Sequence, residues 1–242
     1  MTFNPFSDPA PADFAGRGIR LTTAAAVLSR LFAASPERGL MENLTDTALL
    51  RLWPLRDNES VAGADAMAAM ENSIFEIRDD YVALFGFQGT VSLSGADTPG
   101  VSPAAVFQLT ALYRDADYQP EASGPLAPDH MASELGFLGF LASRITAMCR
   151  EGAGPDPSVN RTAAPANKRA GCAAVALGSV GVRCLDFAGP LMDRVVDGVA
   201  AHARTDFYRA AGRMLAGFST QARRFFADVA GSAAFTGADT RG

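Results

Sequence analysis

Residues 128–155 read PDHMASELGFLGFLASRITAMCREGAGP. Met131, Leu135, Leu138, Ala142, Ile145 and Cys149 recur at spacings of three and four, which puts them on one side of an α-helix. Asp129 stands where an N-cap belongs, with Pro128 before it. Gly152, Gly154 and Pro155 end the pattern. Alternation of period two, the mark of a half-buried strand, is absent from the stretch.

The same period runs outward in both directions. Leu21, Ala25, Leu28 and Phe32 mark a first helix, stopped by Pro36. A short helix follows from Thr45 or Asp46 and ends before Pro54. Met67, Met70, Ile74, Ile77, Tyr81 and Leu84 form one long stripe ending near Gly86, and Pro103 opens a helix through Tyr113. Helical patterns resume near Cys172 and again from Pro190, and Phe207, Ala211, Met214, Phe218, Ala222 and Phe225 stripe the last helix. Only Thr90–Ser94 has any extended character, and its neighbours make it loop. The expected fold is all-α: a single helical bundle domain over 17–231, with frayed ends at 1–16 and 232–242. A linker at 151–168, holding three prolines and two glycines, precedes the C-terminal helices.

Composition narrows the function classes. The 242 residues are 48% hydrophobic and 19% charged, too apolar for a disordered chain. The net charge of −5 argues against nucleic acid as the main partner. Acids concentrate between Asp57 and Glu134, where 13 face only Arg78 and Arg114, so a solvated acidic face or a cationic partner is expected there. The apolar windows 173–182 and 135–142 are short of the roughly 20 residues that span a bilayer. With no leader pattern at the N-terminus, the expectation is a soluble cytoplasmic protein. Three cysteines without a C-x-x-C pair point to small buried thiols.

Chemistry-bearing patterns are few. His130 and His202 are the only histidines, and no nucleophile elbow or phosphate-binding loop occurs. His130 and Glu134 lie four apart and share a helix face that Asp129 caps. That group can be a helix-start hydrogen-bond network, a peptide-binding face, an acid–base pair or a metal site. Glu76 and Asp80, also four apart, repel each other, and a cationic partner would relieve them.

Two segments resemble the TorD/DmsD family of redox-enzyme maturation chaperones. Asp80-Tyr81-Val82-Ala83-Leu84-Phe85 is similar to that family's acidic–Tyr–x–x–Leu–Phe motif, and residues 128–138 to its Pro-Asp-His…Glu-Leu-x-Phe-Met/Leu motif. Leu28–Phe32 and Asp206–Tyr208 resemble its opening and closing helices. The resemblance implies a non-enzymatic cytoplasmic chaperone without a cofactor. Its partner would be an apo-oxidoreductase catalytic subunit, usually a molybdoenzyme, and that subunit's twin-arginine signal peptide. It would assist cofactor insertion and prevent premature export. Asp129, His130 and Glu134 would form the polar end of the peptide site, Asp79 and Asp80 would add charge, and Tyr81, Phe85 and Phe137 would line its apolar part. A monomer or a homodimer swapped through the linker is implied. The alternatives are a metal-dependent helical enzyme built on Asp129, His130 and Glu134, and an assembly chaperone that ignores signal peptides.

Overall fold

The computed structural model describes residues 13–99, 101–120, 126–152 and 164–232. Among these the fold is all-α. The helices are α1 (Phe14–Ala33), α2 (Arg38–Thr45), α3 (Thr47–Leu50), α4 (Asn58–Ala68), α5 (Ile74–Phe85), α6 (Pro103–Asp115), α7 (Met131–Gly152), α8 (Ala164–His202) and α9 (Asp206–Ala230). One turn of 3-10 helix spans Gly95–Asp97.

Four long helices make the bundle. Helix α1 packs on α7 and α9, and α8 closes the ring on their other sides. Neighbours are antiparallel. Gly18, at the start of α1, lies against Thr146 near the end of α7, while Ser29 donates to the Ala132 carbonyl at 2.8 Å. Gly178 near the start of α8 meets Ala230 at the end of α9, and Val199 meets Gly212. Small residues let these axes approach: a Cβ on Gly139 would stand 2.8 Å from the Ala25 methyl, and one on Gly181 would enter the Phe226 ring. The predicted stripes form this core, with Leu28, Phe32, Leu135, Ile145, Phe207, Met214 and Phe225 fully buried. Helix α4 lies outside α9, where Gly63 faces the Ala210 carbonyl and Met214.

Several boundaries differ from the sequence expectation. The long stripe from Met67 to Leu84 is two helices, because Ser73 accepts from the Glu76 N–H while Glu76 accepts from the Ser73 N–H, a capping box that opens α5. Helix α2, not expected, precedes the short helix, whose cap is Asp46 as predicted. The two C-terminal patterns are one helix of 39 residues that carries Pro190 inside it. Pro190 is on the exposed side, where water can hydrate the carbonyl left without a donor. Joined in this way, Gly171–His202 is long and apolar enough by composition to cross a membrane, although one side of it is buried in the bundle. Of the expected linker, 151–152 end α7, 164–168 begin α8, and 153–163 lie outside the described residues. Of the expected frayed N-terminus, 14–16 are helical and 1–12 lie outside the described residues, as do 233–242 at the other end.

Candidate functional site

The residues singled out from sequence fall into two clusters.

The first cluster is built on α5. Its inner face is Ile77, Asp80 and Leu84, all buried. Asp80 is 1% exposed and does not wait for a cationic ligand. It accepts from the backbone N–H of Arg204 at 3.1 Å and of Thr205 at 2.8 Å, and from the Thr205 hydroxyl at 2.6 Å. Thr205 is itself the N-cap of α9. The carboxylate therefore sits at the positive end of the α9 dipole, an expected place for an anion. Asn72 adds a further acceptor there, for the N–H of Asp206 at 3.0 Å. The repulsion expected between Glu76 and Asp80 is relieved inside the molecule. Glu76 turns back to Ser73, whose backbone and hydroxyl hydrogen bonds lower its pKa.

Tyr81 and Phe85 are half-buried. Tyr81 donates to the Phe32 carbonyl at 3.4 Å, and the Phe85 ring lies 5.8 Å from Phe32 and 5.5 Å from Tyr208. Burial raises the Tyr81 phenol pKa and, more strongly, that of Tyr208. On the solvent side the apolar arc of α5 is uncovered. Phe75 is 72% exposed and Val82 62%, with the exposed Asp79 between them on the same face. Arg78 is turned aside to the Pro36 carbonyl at 3.1 Å. Gly86 ends the helix; a Cβ there would meet the Val82 carbonyl at 2.5 Å. Phe87, next in the chain, is fully exposed.

The second cluster surrounds the start of α7. Here the predicted roles are exchanged. Asp129 does not cap α7. Its carboxylate accepts from the Ser94 hydroxyl and the Ala96 N–H, both at 2.8 Å, and so holds the 3-10 turn. His130 caps α7: its Nδ1 accepts from the Ala132 N–H at 3.1 Å. The other early donors are satisfied too. Met131 N–H goes to the Leu93 carbonyl at 2.8 Å, while Ser133 and Glu134 N–H go to the His130 carbonyl. Ser94 and His130 form an isolated antiparallel bridge, so the loop expected at 90–94 is extended where it meets α7.

Glu134 does not hold the His130 ring. Its side chain points into the core, 1% exposed, and Oε2 has no hydrogen-bond partner among the described residues. Burial first, and then the nearby Asp129 charge, raises its pKa well above the usual carboxylate range. Burial lowers that of His130, with Asp129 opposing. Burial also raises the Cys184 thiol and the Tyr113 phenol, each with a further contribution from Glu134. Phe137 is core, with ring centroids 4.5 Å from Tyr113 and 5.1 Å from Tyr118.

Of the eight predicted site residues, Asp79 is exposed, while Tyr81, Phe85 and His130 are partly accessible. Asp80, Asp129, Glu134 and Phe137 are internal. Among the described residues no three His, Cys, Asp or Glu side chains converge as metal ligands. Phe75 and Val82, not predicted as site residues, complete an exposed apolar-and-acidic face of α5. Their seven-residue spacing around Asp79 was visible in sequence. Comparison with protein-family models and with curated proteins gives no match for this chain.

Proposed function

We propose that this protein is a cytoplasmic, non-enzymatic assembly chaperone that binds a redox-enzyme catalytic subunit, through its twin-arginine signal peptide or a segment like it. It would assist cofactor insertion and delay export. The observation that carries this is the open face of α5. A strip of half-buried and exposed apolar side chains, Tyr81, Phe85, Val82 and Phe75, runs beside Asp79 and Glu76. A peptide with a basic start and an apolar middle matches both halves. Covering a Phe and a Val contributes roughly 1.5–3 kcal/mol each before the costs of association.

The eight predicted residues take different parts in this proposal. Asp79, Tyr81 and Phe85 meet the peptide. Asp80, Asp129, Glu134 and Phe137 shape the scaffold that presents it. His130 is partly accessible beside the start of α7. A metal-dependent reaction on Asp129, His130 and Glu134 would have to break the contacts that hold the 3-10 turn and the start of α7.

The test is a fluorescence titration with a labelled peptide carrying two consecutive arginines before an apolar run. The expected result is saturable binding that Phe75→Ser with Val82→Ser weakens at least tenfold, as does Asp79→Lys. Unchanged affinity in both variants, with the fold intact, refutes the α5 surface. No binding of the peptide, together with recovery of a redox subunit from native extract, favours an assembly chaperone that ignores signal peptides.

A further inference from the structure

We propose that His130 is a pH-sensitive latch: protonation of its ring uncaps α7 and releases the Leu93–Asp97 segment that is pinned to the start of that helix. This does not depend on what the α5 face binds.

The geometry fixes the protonation state in which the latch is closed. Nδ1 accepts the Ala132 N–H at 3.1 Å, so the closed ring has no proton on Nδ1. A proton added there would set two donors against each other. It would also place a cation at the positive end of the α7 dipole. The ring must then turn away, and the Ala132 N–H loses its partner.

The residues on either side of His130 anchor the adjoining segment. The backbone on either side of His130 is bonded to it: Met131 N–H to the Leu93 carbonyl at 2.8 Å, and Gly95 N–H to the Asp129 carbonyl at 2.7 Å. The Asp129 carboxylate completes the attachment through Ser94 and Ala96. An imidazolium swung out of the cap position lies beside that carboxylate and competes with Ser94 and Ala96 for it. Loss of the cap and loss of the turn are thus one event.

Among the described residues, the charged and titratable groups around this helix start are few. They are Asp129 and Glu134 on either side of the first turn, Tyr113 from α6, Asp97 and Arg194 at the 3-10 turn, and Cys184 from α8. Of these, Asp129 acts on His130 and favours its protonation, while burial opposes it more strongly. The proton is therefore held less tightly in the closed state than in the open one. Histidine is the cap residue whose ordinary titration falls between pH 5 and 8.

Amide hydrogen exchange on the intact protein between pH 7.5 and 5.0, corrected for the intrinsic rate, tests the latch. Opening monitored at Ala132, Gly95 and Ala96 should become more populated as pH falls below about 6.5, by up to about tenfold per pH unit. Core amides of α7 such as Leu138 should stay flat. In His130→Asn, whose short side chain caps without titrating, the three amides should be pH-independent. The same pH dependence in His130→Asn overturns the proposal, and so does flat protection in the native chain. If the variant does not fold, 15N NMR of the native His130 ring decides. A ring that gains its proton while the Ala132 amide stays protected overturns the latch.

Discussion

Replacing Asp80 by Ala tests whether this residue is a ligand for a partner or a part of the fold. In the structure its carboxylate serves two backbone N–H groups and one hydroxyl at the α8–α9 turn, and it is 1% exposed. Alanine leaves the buried Thr205 N–H without an acceptor, which costs about 1–3 kcal/mol. The Thr205 hydroxyl loses a charge-assisted bond of about 1.5–3 kcal/mol, part of which water or a new rotamer recovers. Arg204 is at the surface, so its N–H can turn to water. Loss of the favourable charge at the α9 N-terminus adds up to about 1 kcal/mol. The expected total is about 3–5 kcal/mol, a large part of the 5–15 kcal/mol that holds a typical domain together. Asp80→Asn keeps an acceptor and should lose about half as much. Urea unfolding followed by far-UV circular dichroism measures this as a fall in the midpoint at constant slope. Asp79→Ala, one residue away but exposed, should stay within about 0.5 kcal/mol of the native chain. An Asp80→Ala midpoint equal to that of Asp79→Ala would refute the inward role.

Glu134 gives a pH-dependent prediction. Its folded-state pKa lies above its unfolded value, so its favourable contribution is complete below about pH 4.5 and is lost as pH rises through the folded pKa. Glu134→Gln should therefore stabilise the protein relative to the native chain by an amount that grows with pH, with a slope of up to about 1.4 kcal/mol per unit. Thermal melts from pH 4.5 to 8 check this, and a constant difference refutes it. Gly63→Ala should destabilise by about 1–3 kcal/mol despite alanine's better helix propensity, because the new methyl would stand 2.8 Å from the Ala210 carbonyl. Urea midpoints measure it. Phe75→Ser with Val82→Ser, both at the surface, should leave the midpoint within about 0.5 kcal/mol while it weakens peptide capture.

The bundle was legible in sequence wherever one face of a helix is buried along its length, as in 131–149 and 207–225. It was not legible where two helices happen to keep phase. Met67, Met70, Ile74 and Ile77 continue one period across a break, and only the Ser73–Glu76 capping pair reveals it. Pro190 misled in the opposite direction, since a proline on a solvated face need not stop a helix. At the candidate site the directions of the side chains were not legible, that of Asp80 apart. Asp80 shares the spacing of Ile77 and Leu84, three before it and four after it, which already placed it inward. The exchange between Asp129 and His130 depends on the Ser94–Ala96 turn, which is distant in sequence and carries no periodic signal. Which of two adjacent polar residues caps a helix is settled by what the other one finds to bond.

Helix α1 is held between α7 and α9, and this has a consequence for synthesis. As the chain emerges from the ribosome, the apolar stripe of Leu21, Leu28, Leu31 and Phe32 is made well before α7 and α9, the helices that cover it. Ser29 waits 103 residues for Ala132, and Asp80 waits 125 residues for the turn that it caps. Contacts this far apart close slowly and leave nascent chains open to aggregation. A ribosome stalled before α9 would hold a chain in which the faces of α1, α4 and α8 that pack on α9 are still bare.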